Sequence, residues 1–128
     1  MSETITRGVC ISVSSQYLPE QSSPEHGEYI FGYRICIQNQ GEQTVQLLSR
    51  HWIITDANGS IKEVRGTGVV GEQPTLKSGE AFEYTSGCPL STPVGTMHGH
   101  YTMVVLESGE QFEAQIKPFL LAVPKVLN

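Results

Sequence analysis

Positive charge is in short supply: across 128 residues, 8 Lys and Arg stand against 13 Asp and Glu, a formal net charge of -5. Nucleic-acid grooves and anionic membrane surfaces reward clustered cations, so neither is expected as a partner. Long apolar runs are missing too. None approaches the roughly 20 residues of a membrane-spanning helix, and Ser2-Glu3-Thr4 lacks the charged-then-apolar layout of a secretory leader. The expected location is the cytoplasm, with no membrane insertion. Cysteine is scarce: Cys10, Cys36 and Cys88 are odd in number and widely spaced. That pattern describes neither a disulfide framework nor a zinc ribbon, so buried free thiols are the expectation. Helical periodicity is absent as well, since no window of eleven or more residues repeats apolar side chains at i, i+3, i+4 and i+7. The chain contains no internal repeat, low-complexity tract or linker, and its length suits one domain, taken here as residues 1–128. A domain of this size buries roughly two-thirds of its unfolded surface without disulfides or a structural metal.

What the sequence does contain is strand pattern. Ile5, Val9, Ile11 and Val13 alternate with polar residues and read as one half-buried strand. Tyr29, Phe31, Tyr33, Ile35 and Ile37 repeat at period two with aromatic and β-branched character. Thr44 to Thr55 holds Leu47-Leu48 and Trp52-Ile53-Ile54, dense enough to imply burial on both faces or a bulge that exchanges them. Asp56-Ala57-Asn58-Gly59 supplies residues that tolerate positive φ and predicts a hairpin returning through Ile61 to Arg65. Phe82 and Tyr84 open a short strand, after which Cys88 to Gly95, with two prolines, reads as a loop. Tyr101, Met103 and Val105, then Phe112, Ala114 and Ile116, form a last pair across Glu107-Ser108-Gly109-Glu110. Phe119 to Val123 lies between Pro118 and Pro124, and either caps an edge of the core or pairs with a second chain. About seven short strands at this turn frequency predict an all-β, antiparallel sandwich of immunoglobulin or fibronectin type III kind.

Four groups of residues could carry chemistry. Gly66-Thr67-Gly68-Val69-Val70-Gly71 fits the dinucleotide fingerprint by letter, yet that fingerprint needs a helix to follow and hold the pyrophosphate. Glu72-Gln73-Pro74 follows instead, so the glycines read as a tight excursion between strands, or as a cup of amides that takes some other small anion with Arg65 and Arg50. His98 and His100, two apart on a strand, project from one face and supply two of the three or four ligands a metal needs. His51, His26 or a carboxylate would have to complete the set, so no metal site is assigned. Cys88 lies beside Pro89 with no nucleophile elbow around it, and Glu72, Glu80 and Glu83 are not paired by spacing for acid-base work. No catalytic residue and no cofactor follow from the pattern, and the expected function is non-enzymatic.

The runs Ser49-Arg50-His51-Trp52-Ile53-Ile54-Thr55-Asp56 and Val64-Arg65-Gly66-Thr67-Gly68-Val69-Val70-Gly71-Glu72-Gln73-Pro74 go beyond a generic sandwich. With Phe82-Glu83-Tyr84-Thr85-Ser86-Gly87-Cys88-Pro89-Leu90 and Met97-His98-Gly99-His100-Tyr101 they resemble the ApaG family over nearly the whole chain. That resemblance implies a fibronectin type III-like sandwich. It also implies an interaction module, since bacterial members are associated with cobalt resistance and magnesium efflux and are encoded near a diadenosine tetraphosphate hydrolase, and similar eukaryotic domains are attached to an F-box protein and to a DNA polymerase-interacting protein. His98 and His100 occupy variable slots of the family motif and do not carry over as ligands. Arg50, His51, Arg65, Gly66, Gly68, Gly71, Glu72 and Gln73 match it, with Trp52 and Pro74, and form the expected binding surface or, alternatively, a folding requirement. The leading expectation is an interaction domain that acts on divalent-cation homeostasis through an unidentified protein partner, as a monomer or weak homodimer. The alternative is a sensor for a divalent metal ion or a phosphorylated metabolite.

Overall fold

Alternating β-branched and aromatic residues become nine strands in the computed structural model, which describes residues 2–124. Met1 and residues 125–128, part of the expected single domain, lie outside the described residues. The strands are β1 (Ser2–Thr6), β2 (Val9–Tyr17), β3 (Tyr29–Asn39), β4 (Val45–Asp56), β5 (Ile61–Thr67), β6 (Thr75–Leu76), β7 (Ala81–Leu90), β8 (Val94–Val105) and β9 (Gln111–Ala122). They form two antiparallel sheets, one ordered β1-β2-β3-β7 and one ordered β5-β4-β8-β9, with β6 added to β4. The expected all-β sandwich is therefore the fold, and no helix among the described residues is long and apolar enough to cross a membrane.

The excess over seven strands has two sources: the two-residue β6 and a division near the N-terminus. Thr4 to Val13 is not one strand but a hairpin, because Arg7 and Gly8 both take positive φ, 47 and 83, as a type I′ turn requires. Ile5 is consequently paired with Cys10 on the outward side and is 57% exposed, not aligned with Val9, Ile11 and Val13 in the core. Thr4 and Thr6 instead fall opposite Ile11 and Val9, turned toward the other sheet. There the Thr6 and Thr4 hydroxyls accept the backbone amides of Gln115 and Lys117 at 3.1 Å each, covering the outer edge of β9.

Two bulges keep long strands in phase with the core. In β4 the register shifts between Leu47 and Ser49, so Leu47 before it and Trp52 and Ile54 after it all face inward. In β9 a shift opposite Met97 and Gly99 takes up Lys117 and Pro118, which lets Ile116 and Phe119 both point inward. The strand thus runs through Pro118 instead of ending there. The expected Cys88 to Gly95 loop is likewise shorter: Cys88, Pro89 and Leu90 complete β7, and β8 begins at Val94. The ladder turns the amide position of residue 89 to the free edge of β7, where proline's missing N–H costs no hydrogen bond.

Between the sheets the side chains interdigitate as in any sandwich core. Trp52 is the anchor, 2% exposed, with its ring 5.6 Å from Tyr33, 6.1 Å from Tyr101 and 6.0 Å from Phe119. The buried hydroxyls of Tyr84 on β7 and Tyr101 on β8 hydrogen-bond to each other across the two sheets. Burial pushes both phenols well above the ordinary value, so the pair is neutral throughout the physiological range. Asn39 is buried yet satisfied: its amide donates to the carbonyls of Gln43 and Leu76 and its oxygen accepts from the amide of Gly41.

Candidate functional site

The Asp56-Gly59 turn fixes the register of β4 against β5 and so places Arg65 directly opposite His51. On the other side of β4, His51 is opposite His100 of β8. Arg65, His51 and His100 therefore form one row across the outward face of the five-stranded sheet. The next row holds Thr67, Ser49, Thr102 and Glu113. These residues, with Arg50 and Gly66, line an open depression of about 650 Å³.

Electrostatically the depression is mixed. The rings of His51 and His100 meet edge to face, 5.2 Å between centroids at 87°. Glu63 Oε1 stands 3.8 Å from His51 Nε2, and Glu113 Oε2 stands 3.4 Å from His100 Nε2. His51 Nε2 is buried and makes no hydrogen bond, while Arg65 reaches into solvent, 71% exposed, with Nη2 3.7 Å from Glu63 Oε2. Arg50 plays a different part. Just past the β4 bulge, its Nη1 donates to the carbonyls of Thr67 at 3.2 Å and Gly68 at 2.7 Å, closing the end of β5. The guanidinium occupies the space a side chain at Gly66 would take, since a Cβ there would lie 2.6 Å from Nη2.

The rest of the glycine run is a folded hairpin. Gly68 donates its amide to Leu48 O at 2.9 Å, and Val69 and Glu72 exchange amides and carbonyls at 2.8 and 2.9 Å around Val70 and Gly71. Both central residues have positive φ, 43 and 80, a conformation that strains the β-branched Val70. A Cβ at Gly68 would come 2.3 Å from Glu72 O, so only glycine fits that approach. Val69 is wholly buried, and the Gln73 side chain donates to Leu48 O at 3.0 Å, pinning the hairpin to β4. The amides of Gly68, Val69 and Glu72 are thus committed to backbone carbonyls, and no helix follows to hold a pyrophosphate.

The structure accordingly sorts the residues that sequence grouped together. Arg50, His51, Arg65 and Gly66 converge in the depression, whereas Gly68, Gly71, Glu72 and Gln73 build the hairpin at its side, with Glu72 and Gln73 exposed. His98 shares the outward face with His100 but lies one row away, opposite Ile53. Among the described residues no three His, Cys, Asp or Glu side chains are grouped to hold a metal ion. Cys88 is buried in β7, and burial pushes its thiol up to about 11, leaving roughly one part in ten thousand as thiolate at pH 7. Ser49, Thr67, Thr102, Glu63 and Glu113 were not singled out by sequence. Counting back from the Asp56-Gly59 turn recovers the Arg65–His51 pairing, but only the tertiary fold brings in β8 and β9.

Fold and site together define a class: a fibronectin type III-like β-sandwich that presents a polar depression on one sheet face beside a glycine hairpin. A sequence model described as the ApaG domain matches residues 19–105. The chain is 58% identical over 118 residues to Protein ApaG of Acidithiobacillus ferrooxidans, covering 92% of each. It is 53% identical over 128 residues to Protein ApaG of Dechloromonas aromatica, covering 100% of each. The crystal structure of the ApaA protein from Bordetella pertussis superposes with a TM-score of 0.89 at 53% identity, over 92% of this chain and 95% of that one. The chain belongs to the ApaG domain family.

Proposed function

We propose that this chain is a non-catalytic interaction domain whose contact surface is the depression of Arg50, His51, Arg65 and Gly66 with the flanking Glu72 hairpin. Its bearing on cobalt and magnesium homeostasis runs through a protein partner. The observation that carries the reading is the pairing of Arg65, His51 and His100 in one row on a rigid sheet, with Arg65 largely exposed above it. Side chains held by strands need little ordering when a partner docks, which favours recognition by a preformed surface. Affinity capture with the wild-type chain is expected to retain a specific partner that Arg65→Ser and Glu72→Lys both lose. A captured set unchanged by both substitutions overturns the reading.

One geometry favours a second reading, a small-ligand sensor: the imidazoles of His51 and His100 in contact with each other and approached by Glu63 and Glu113. Amide chemical-shift titrations with cobalt, magnesium and diadenosine tetraphosphate separate the two. Saturable shifts clustered at His51, His100 and residues 65 to 73 favour the sensor; a spectrum unchanged at millimolar ligand removes it.

A further inference from the structure

β5 forms the outer edge of its sheet, and its register on β4 decides which of its backbone groups are spare. The bonds from Asp56 N to Ser60 O and from Gly68 N to Leu48 O show that the even-numbered residues of β5 bond inward to β4. Ile61, Glu63 and Arg65 therefore direct their amides and carbonyls outward along an open edge, joined by the amide of Thr67, whose carbonyl is already taken by Arg50 Nη1 at 3.2 Å. Two other long edges are blunted. β9 has its Gln115 and Lys117 amides taken by Thr6 and Thr4, and β7 carries Pro89 on its free side. β5 has neither proline nor bulge, and Ile61 is 67% exposed on it.

The order of charges on that edge names an occupant. Glu63 and Arg65 flank Val64, so the strand is complementary in charge to its own reverse. We propose that β5 pairs antiparallel with β5 of a second copy, about a two-fold axis at Val64, to form one continuous sheet through both chains. In that register Glu63 lies opposite Arg65 of the second copy and Arg65 opposite its Glu63. Ile61 lies opposite Thr67, and Lys62 opposite Gly66, over which the Arg50 guanidinium is folded. A slip of two residues in one direction sets Glu63 against Glu63, and in the other Arg65 against Arg65. Like charges directly opposite are unfavourable, so charge selects the single register. The twofold closure is the ordinary isologous arrangement of a homodimer and leaves no open edge to propagate.

Sedimentation equilibrium of the full chain, alone in solution from about 10 µM to about 1 mM, tests this without any partner protein. The mass is expected to rise toward two chains. E63R and R65E, each alone, bring like charges together twice per dimer and should weaken association at least about tenfold. An equimolar mixture of E63R and R65E restores every opposite pair and should recover the dimer, as should the double swap E63R/R65E. A wild-type chain that stays monomeric at the highest concentration overturns the proposal. So does a dimer indifferent to the single reversals, or a mixture that fails to reassociate. Failure here leaves the partner-binding reading untouched, because that reading is tested by capture of a different protein.

Discussion

Three glycines separate three physical reasons for having no side chain, and substituting each by alanine gives a graded prediction. Gly99 of β8 lies opposite Trp52, and a Cβ there would sit 1.9 Å from His51 O, a backbone atom of the adjacent strand. Ordinary contact starts near 3.4 Å, so β8 must move away from β4 by more than an ångström at the centre of the sheet. Overpacking of this kind costs about 1–3 kcal/mol, and each ladder hydrogen bond stretched in the process adds about 1 kcal/mol. Gly99→Ala is therefore expected to lose roughly 3–5 kcal/mol, a large fraction of the 5–15 kcal/mol typical of a domain. Gly71 has open space around it but φ +80, so Gly71→Ala costs only the strain of a left-handed residue, about 1–2 kcal/mol. Gly87 has no positive φ and its nearest neighbour would be 3.6 Å away; alanine there should stabilise β7 by about 0.5–1 kcal/mol. Guanidinium unfolding of the three variants, followed by Trp52 fluorescence, reads the order directly. A Gly99→Ala variant no less stable than Gly71→Ala would refute the steric argument, and a Gly87→Ala variant markedly destabilised would show that the edge of β7 is under a constraint its geometry does not reveal.

Alkaline stability should fall for a stated reason. Burial raises the Cys88 thiol from an ordinary 9.0 to about 11 in the folded chain. The folded state then holds the proton more tightly, and stability is full below about pH 9 and declines as pH rises toward 11. Unfolding measured at about pH 8 and about pH 10.5 should differ by ~2 kcal/mol from this group, and Cys88→Ala should remove that share; equal slopes for both chains would sink the assignment. The raised phenols of Tyr84 and Tyr101 act with the same sign above pH 10.0. Tyr84→Phe or Tyr101→Phe leaves one buried hydroxyl unsatisfied and should cost about 1–3 kcal/mol, while the double Phe variant should cost less than the sum, because no orphan remains. Arg50→Ala should cost about 1–2 kcal/mol by releasing the carbonyls of Thr67 and Gly68. Gly66→Ala should add nothing in that background although it perturbs the wild type, and strict additivity would show that Arg50 does not fill the space over Gly66.

Much of the sandwich was readable from local pattern, because period-two alternation, β-branched residues and an Asn-Gly turn act over distances of a few residues. The β3 strand and the Asp56-Gly59 hairpin are of this kind, and Trp52 as core anchor follows from its place among them, whereas the pattern of β4 left burial on both faces or a bulge open and the register shift at Leu47 decides for the bulge. Local pattern misled where an uncommon residue did a turn's work or a strand neighbour excused a proline. Arg7 adopts the positive φ that sequence assigns to Asn or Gly, which hid the β1–β2 hairpin. Pro89 and Pro118 look like breaks until the free edge and the bulge that accommodate them are in view.

The site divides in the same way. Sequence alone picked out Arg50, His51, Arg65 and the glycine run, and the hairpin register alone sets Arg65 beside His51. Tertiary structure decided the rest: His100 with Glu113 arrives from strands some fifty residues away, Gly68 and Gln73 turn out to bond to Leu48 of β4, and Val69 and Glu72 bond to each other. Which face of a strand is buried is a local property of its pattern, whereas which strand lies next to it is settled only when the two sheets close over a common core.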